Sequence, residues 1–211
     1  MMLVKTFTFN DFQENTYVVS SNNKCIVIDP GNYHEHENQE LKKYIDGKGF
    51  NLEYILLTHC HIDHILGLKY LNDIYNTKVY IPSKEMEMYK KSEEIASVYG
   101  LSYYDHFSSV HCMNSDFNFT LEDYQIKILE IPGHSPDHFG FLFEDAKVCF
   151  SGDVIFKNSI GRTDLPGGNY ETLINSIKSK LYNIGNDVII YPGHGPKTNM
   201  EDEIKLNPFL V

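Results

Sequence analysis

Positive charge is scarce in this chain. Only 18 Lys and Arg stand against 29 Asp and Glu among 211 residues, a net charge of -11. An acidic surface repels a phosphate backbone, so no nucleic-acid partner is expected. Cysteine is scarce too: four residues, at 25, 60, 112 and 149, with no C-x-x-C pair. That excludes a disulfide-stapled scaffold and points to a reducing compartment. No apolar run reaches the ~18 residues of a membrane-spanning helix. The N-terminal stretch to Phe9 has neither a long apolar run nor a cleavage site. A cytoplasmic protein with no membrane partner is the expectation. Linkers and short-period repeats are absent as well. One domain, 1–211, is expected, long enough to bury roughly 70% of its unfolded surface without staples. Oligomeric state is left open by the sequence.

What is abundant is histidine, ten in all. Its meaning depends on where the strands end. Apolar runs and alternation predict strands at Leu3–Phe9, Tyr17–Ser20, Cys25–Ile28, Tyr54–Leu57, Val79–Ile81, Ile126–Ile131, Phe139–Phe143, Val148–Phe150 and Val188–Tyr191, the last of the chain. Helical spacing marks Leu41, Tyr44 and Ile45, then Ile65 to Tyr75, then a long helix over Ser83–Tyr99 with Ser83 as N-cap. Leu173 to Ile184 marks a further amphipathic helix, closed by Gly185. Residues 102–125 read as loops and short strands, and 157–169 as a Gly- and Pro-containing loop. Several apolar runs are too continuous to have one wet face, which suggests α/β sheets covered by helices.

Four strands run into a polar catch. Leu57 leads into Thr58-His59-Cys60-His61-Ile62-Asp63-His64, Ile131 into Pro132-Gly133-His134, Phe150 into Ser151-Gly152-Asp153, and Tyr191 into Pro192-Gly193-His194. In extended backbone His59 and His61 point to one side, so two imidazoles can grip one cation. Asp63 and His64 then start a helix and can turn toward a second position. Imidazole nitrogen with carboxylate oxygen suits zinc, iron or manganese. A carboxylate shared between two cations would screen their repulsion, and Asp153 is the natural candidate. A single strand-end histidine is usually structural. Three further His or Asp at strand ends make a purely structural reading poor.

The pattern T-H-x-H-x-D-H, then G-H, G-D and G-H-G, resembles the metallo-β-lactamase fold superfamily over nearly the whole chain. Gly161-Arg162-Thr163-Asp164-Leu165-Pro166-Gly167-Gly168 and Asn207-Pro208-Phe209-Leu210 resemble the short glyoxalase II-like bacterial hydrolases. The resemblance implies a four-layer αββα sandwich of two mixed sheets. It implies two divalent metal ions, zinc first and iron or manganese as alternatives. His59, His61 and His134 would hold one metal; Asp63, His64 and His194 the other; Asp153 would bridge them. Zinc β-lactamases with a Cys ligand carry it where Asp153 stands, which disfavours antibiotic hydrolysis. Flavodiiron relatives have Glu at the position of His61. Full-length glyoxalase II adds a C-terminal helical domain, whereas only fifteen residues follow Pro196 here; the expected chain lacks that domain.

The implied activity is hydrolysis of a small thioester, such as an S-acylglutathione, by a hydroxide of the dinuclear centre. Asp63 would orient that hydroxide. Thiolate leaves readily, so no dedicated general acid is required. Arg162 is a candidate for binding a substrate carboxylate through its planar fork, against the plainer reading of an ion pair with Asp164. Asp137 and His138 are candidates for orienting ligands. Cys60, Tyr103 and Tyr104 read as packing residues, and His34, His36, His106 and His111 as surface or loop residues. The rival reading is a mononuclear-iron persulfide dioxygenase of the same fold, which shares G-R-T-D. A metal-stabilised interaction module is the third, and seven His and Asp positions exceed what a closed structural site needs.

Overall fold

The computed structural model describes residues 1–210. The chain gathers into two compact units, Met1–Met113 and a second beginning at Asn114. Each carries one six-stranded mixed sheet, the expected α/β class.

In the first unit, β1 (Met2–Phe9), β2 (Glu14–Ser21) and β3 (Lys24–Ile28) form an antiparallel meander. Asn22, at φ +53°, makes the tight turn between β2 and β3. β4 (Asn51–Leu56), β5 (Lys78–Pro82) and β6 (Val110–Met113) then add in parallel, giving the order β1-β2-β3-β4-β5-β6. Parallel neighbours need a crossover, and helices supply it. α1 (Glu35–Gly47) links β3 to β4, and α2 (Leu68–Tyr75) links β4 to β5. Leu41 and Ile45 of α1 and Leu68 and Leu71 of α2 pack with Val18, Val27, Ile55 and Val79. On β3, Cys25 and Val27 face one side and Ile26 and Ile28 the other, and all four are fully buried. That is the burial on both faces which the unbroken apolar runs implied.

The long helix expected over Ser83–Tyr99 is instead broken into a 3-10 turn (Ser83–Glu85), α3 (Met86–Lys90) and α4 (Ser92–Val98). Side chains committed elsewhere explain the breaks. Ser83 donates its hydroxyl hydrogen to the Met113 carbonyl rather than capping a helix. Ser92 is buried, with Tyr104 donating to its hydroxyl and His106 Nδ1 at 2.9 Å. Asp63 and His64 likewise do not open a helix. They sit in a separate 3-10 turn, Ile62–His64, and α2 starts later, at Leu68.

The second unit holds β7 (Phe119–Leu121), β8 (Tyr124–Glu130), β9 (Phe139–Phe143) and β10 (Val148–Gly152). A small hairpin, β11 (Ile155–Phe156) with β12 (Ser159–Ile160), breaks the expected 157–169 loop. α5 (Tyr170–Ser179) follows, shorter than its apolar spacing suggested; a 3-10 turn carries Leu181–Asn183. β13 (Ile189–Pro192) returns parallel to β10, and α5 is the crossover. β14 (Thr198–Asn199) and α6 (Met200–Leu206) lie beyond the strand expected to be last. Their signal was readable: Asn199 caps the Asp202 N–H at 2.8 Å, and Glu201, Asp202 and Glu203 fill the first turn. The sheet order is β14-β13-β10-β9-β8-β7. Leu129, Leu142, Cys149 and Ile190 of the sheet pack with Leu173 and Ile177 of α5. Among the described residues no helix is long and apolar enough to cross a membrane.

Candidate metal centre

In the first unit the ligand segment hangs from the end of β4 and is held by side chains. Asp29 ends β3 with φ +49°, a backbone bend that Asp tolerates better than most residues. Its Oδ1 accepts the Thr58 N–H at 2.7 Å, and its Oδ2 accepts the Thr58 hydroxyl at 2.7 Å. His64 Nδ1 lies 3.2 Å from the same Oδ2. Thr58 has thereby spent its hydrogen on Asp29, so at 3.0 Å it can only accept from His59 Nδ1. Asp29, a carboxylate, likewise fixes the hydrogen of His64 on Nδ1. Both imidazoles therefore present a bare Nε2 lone pair. His59 Nε2 stands 3.1 Å from His61 Nδ1, and His64 Nε2 3.6 Å from Asp63 Oδ2.

A layer of buried polar groups fixes the backbone beneath. Asn10 Nδ2 donates to the carbonyls of Asp63 (3.0 Å) and Gly31 (2.9 Å). The Gly31 N–H donates to Thr16 Oγ1, which donates to Glu14 Oε2, each at 2.8 Å. A Cβ on Gly31 would fall 2.1 Å from Glu14 Oε2, so only glycine fits. Burial pushes the Glu14 carboxyl well above the usual range; nearby His64 pulls it down and Asp29 adds to the rise. Cys60 is buried, and its N–H donates to Glu85 at 3.3 Å, so it packs as expected.

In the second unit main-chain groups do most of the holding. His134 follows β8, in the turn that leads back to β9, where the Ile131 N–H donates to the His138 carbonyl. His134 Nδ1 donates to the Arg162 carbonyl at 2.8 Å, which can only accept; Nε2 is again the bare atom. Asp153 lies just past β10. His138 Nε2 accepts its backbone N–H at 3.1 Å, the orienting part expected of that histidine. His194 lies just past β13. The parallel register sets Pro192 opposite Gly152, and the Gly193 N–H donates to the Gly152 carbonyl at 2.8 Å. Asp153 Oδ2 comes within 3.6 Å of His134 Nε2 and 3.5 Å of His194 Nε2.

These donor sets fit divalent cations. Nitrogens held ~2.0–2.1 Å from a tetrahedral zinc stand roughly 3.3–3.4 Å apart. The His59–His61 and Asp153–His134 and Asp153–His194 separations bracket that spacing. Three imidazoles are also locked, by second hydrogen bonds, in the tautomer a metal requires. In the first unit Asp29, His59 and His64 offer ligand atoms within 4.8 Å of one another, all three buried.

Other candidates take plainer places. Arg162 donates Nε–H and Nη2–H to Asp164 at 2.8 and 2.7 Å, both residues exposed. That pair holds the Asp164 carboxyl down at about 2. Tyr104 is partly buried, but Tyr103 is 82% exposed and does not pack as expected. His111 lies on β6 and is exposed, the surface place expected of it. The sequence reading missed Asn10, Glu14, Thr16 and Asp29. Asp29 alone carried a signal, since Asp29-Pro30-Gly31 is a fifth strand end with a potential ligand next to a Pro-Gly turn.

Comparison with known proteins finds full-length relatives. The family model of the metallo-beta-lactamase superfamily matches residues 9–194. The hydroxyacylglutathione hydrolase GloC of Haemophilus influenzae is 35% identical over 99% of this chain and 98% of its own. Among solved structures, the BLEG-1 B3 metallo-beta-lactamase superposes with a TM-score of 0.90 at 29% identity, covering 99% of this chain and all of that one. TTHA1623 in a di-iron-bound form gives 0.87 at 31% identity, covering 98% of this chain and all of that one.

Proposed function

The chain belongs to the metallo-beta-lactamase superfamily, and on that premise we propose that it is a dinuclear metal hydrolase acting on a small thioester of the S-acylglutathione kind. The observation that carries this reading is the tautomer lock on His59, His64 and His134, which leaves each Nε2 ready for a metal. The 35% identity to a hydroxyacylglutathione hydrolase over nearly the full length of both chains supports the substrate class.

In this reading His59, His61 and His134 would hold one ion, Asp63, His64 and His194 would hold the other, and Asp153 would serve both. When bound, two divalent ions lower the pKa of a coordinated water and polarise the substrate carbonyl. The protein does the rest. Asp63, its side chain 13% exposed, accepts a hydrogen bond from the attacking water and aims it at the carbonyl carbon. The thiolate departs without a proton donor because its conjugate acid, a thiol, is already acidic enough for the anion to leave unprotonated. Arg162 offers its guanidinium to a substrate carboxylate only by exchanging Asp164 for it. Zinc is the proposed metal and the cytoplasm the proposed location.

The test is hydrolysis of S-D-lactoylglutathione by zinc-loaded protein, with His59→Ala and Asp153→Ala as controls and a β-lactam in the same panel. Turnover on the thioester, with both variants down by about 10³-fold or more (~4 kcal/mol in the barrier), is expected. Turnover on the β-lactam alone would replace the substrate class. A single bound iron, with sulfite formed from glutathione persulfide, would replace the hydrolase by an oxygenase.

A further inference from the structure

The Asn207-Pro208-Phe209-Leu210 segment and the helix before it have no part in the centre described above, yet they are built around buried polar groups. Glu203 of α6 and Asn207 just beyond it are both fully buried. Burying a carboxylate and an amide is costly unless each has partners, and here the partners all lie on one short hairpin and its surroundings. Glu203 Oε2 accepts the Asn158 N–H at 2.9 Å and the Asn207 Nδ2–H at 2.8 Å; Oε1 accepts the Thr198 hydroxyl. Asn207 Nδ2 also donates to the Ser159 carbonyl at 2.9 Å. The Asn207 Oδ1 and carbonyl accept the N–H groups of Phe209 and Leu210, so the segment folds back on itself.

Asn158 lies in the turn of the β11–β12 hairpin and Ser159 opens β12, and what the hairpin does next matters. Two residues beyond Ser159 comes Gly161. A Cβ there would lie 1.7 Å from the Asp153 carbonyl oxygen and 3.1 Å from His134 Nδ1. The next residue, Arg162, supplies the carbonyl that fixes the His134 hydrogen on Nδ1. The hairpin thus reaches from the Glu203–Asn207 pair at one end to His134 and Asp153 at the other. A two-residue turn and two paired strand residues on each side make the connection between those ends short.

We infer that Glu203 and Asn207 are positioning residues for the metal centre: they hold the β11–β12 hairpin so that the Arg162 carbonyl orients His134. The inference rests on His134 being a metal ligand. Neither residue touches metal or substrate. Their effect is carried through Asn158, Ser159, Gly161 and Arg162, all within the second unit.

The experiment titrates zinc into the full chain against a chromophoric chelator and follows thermal unfolding of the same metal-free samples. Asn207→Ala removes the donor to Ser159, and zinc affinity is expected to fall about tenfold, the lower end for loss of a ligand-orienting contact. Asn207→Ser, whose hydroxyl is too short to reach Ser159, takes its place if Asn207→Ala does not fold. Glu203→Gln keeps a carbonyl oxygen for Asn158 and Asn207 and is expected to bind zinc as the parent does. Leu210→Ala removes apolar packing of the same segment; it is expected to lower the melting temperature and leave zinc affinity unchanged. A folded Asn207 variant with parental zinc affinity overturns the inference. So does Leu210→Ala weakening zinc as much as Asn207→Ala, since general loosening would then explain both. His134→Ala binding zinc as well as the parent would overturn the reading of the centre and this inference with it.

Discussion

The two units hold their candidate ligands by different means. In the first, His59, His61, Asp63 and His64 lie within six residues, and side chains fix them: Asp29, Thr58, Asn10 and Thr16. In the second, His134, Asp153 and His194 are spread over 60 positions, and mostly main-chain groups fix them: the Arg162 carbonyl, the Gly152 carbonyl and the paired ends of β10 and β13, with the His138 ring also on the Asp153 N–H. Side-chain scaffolding can be removed by trimming one group. Main-chain scaffolding yields only when the backbone itself is forced to move. The first unit should therefore be sensitive to polar substitutions, and the second to added bulk at its close approaches.

The largest effect is expected from forcing the backbone. Gly161→Ala sets a methyl 1.7 Å from the Asp153 carbonyl oxygen, and rigid backbone on both sides cannot yield cheaply. Overpacking of this kind costs about 1–3 kcal/mol of stability. Denaturant unfolding should record that loss, and turnover should fall by roughly 100-fold or more as Asp153 and His134 are displaced (~2.7 kcal/mol). Gly161→Ala with parental stability and rate would erase the contrast between the units.

A smaller effect is expected from the side-chain scaffold. In Asp29→Asn the amide must turn a donor toward either Thr58 N–H or His64 Nδ1, and neither fits. If the donor meets His64, the hydrogen of that imidazole moves to Nε2 and the ligand atom is lost. Zinc affinity should drop about 10- to 100-fold, measured by chelator competition. Loss of stability with no change in affinity would mean that Asp29 supports the fold but not the ligand.

The smallest effect belongs to a pair outside both scaffolds. The Arg162 guanidinium holds the Asp164 carboxyl at about 2, below its usual 3.8. A carboxylate with a depressed pKa stabilises the fold above its unfolded pKa and loses that contribution as pH falls through the folded value. The melting temperature of Asp164→Asn should therefore trail the parent slightly at pH 7 and converge with it between about pH 4 and pH 2. Both groups are exposed, so added salt should shrink the difference further. A rise in KM with Arg162→Ala but not with Asp164→Asn would assign the guanidinium to substrate.

The same contrast explains what could be read from the sequence. His59, His61, Asp63 and His64 were legible because a short motif after a buried strand carries its own geometry. His134, Asp153 and His194 were legible only as strand ends, and the family pattern linked them. Asn10, Glu14 and Thr16 left no trace, because a buried Asn or Glu in a strand or turn reads as an ordinary polar residue until its neighbours are known. The break of Ser83–Tyr99 was hidden for a like reason. Local periodicity favoured one helix, and the distant partners of Ser83 and Ser92 overrode it.

The parallel pairing of β10 with β13 has a consequence in time. Val148 pairs with Ile189, 41 positions downstream, and α5 must be made and docked in between. Non-local parallel pairing is slow to form, and the chain emerges from the ribosome N-terminus first. His194 is thus the last of the candidate ligands to leave, after the other six have been synthesised. A nascent chain can fold the His59–His64 turn early, but it cannot complete the cluster around Asp153 until β13 has joined the sheet. Under the proposed ligand set, the non-local pairing of β13 therefore sets when the cluster around Asp153 can close on a metal.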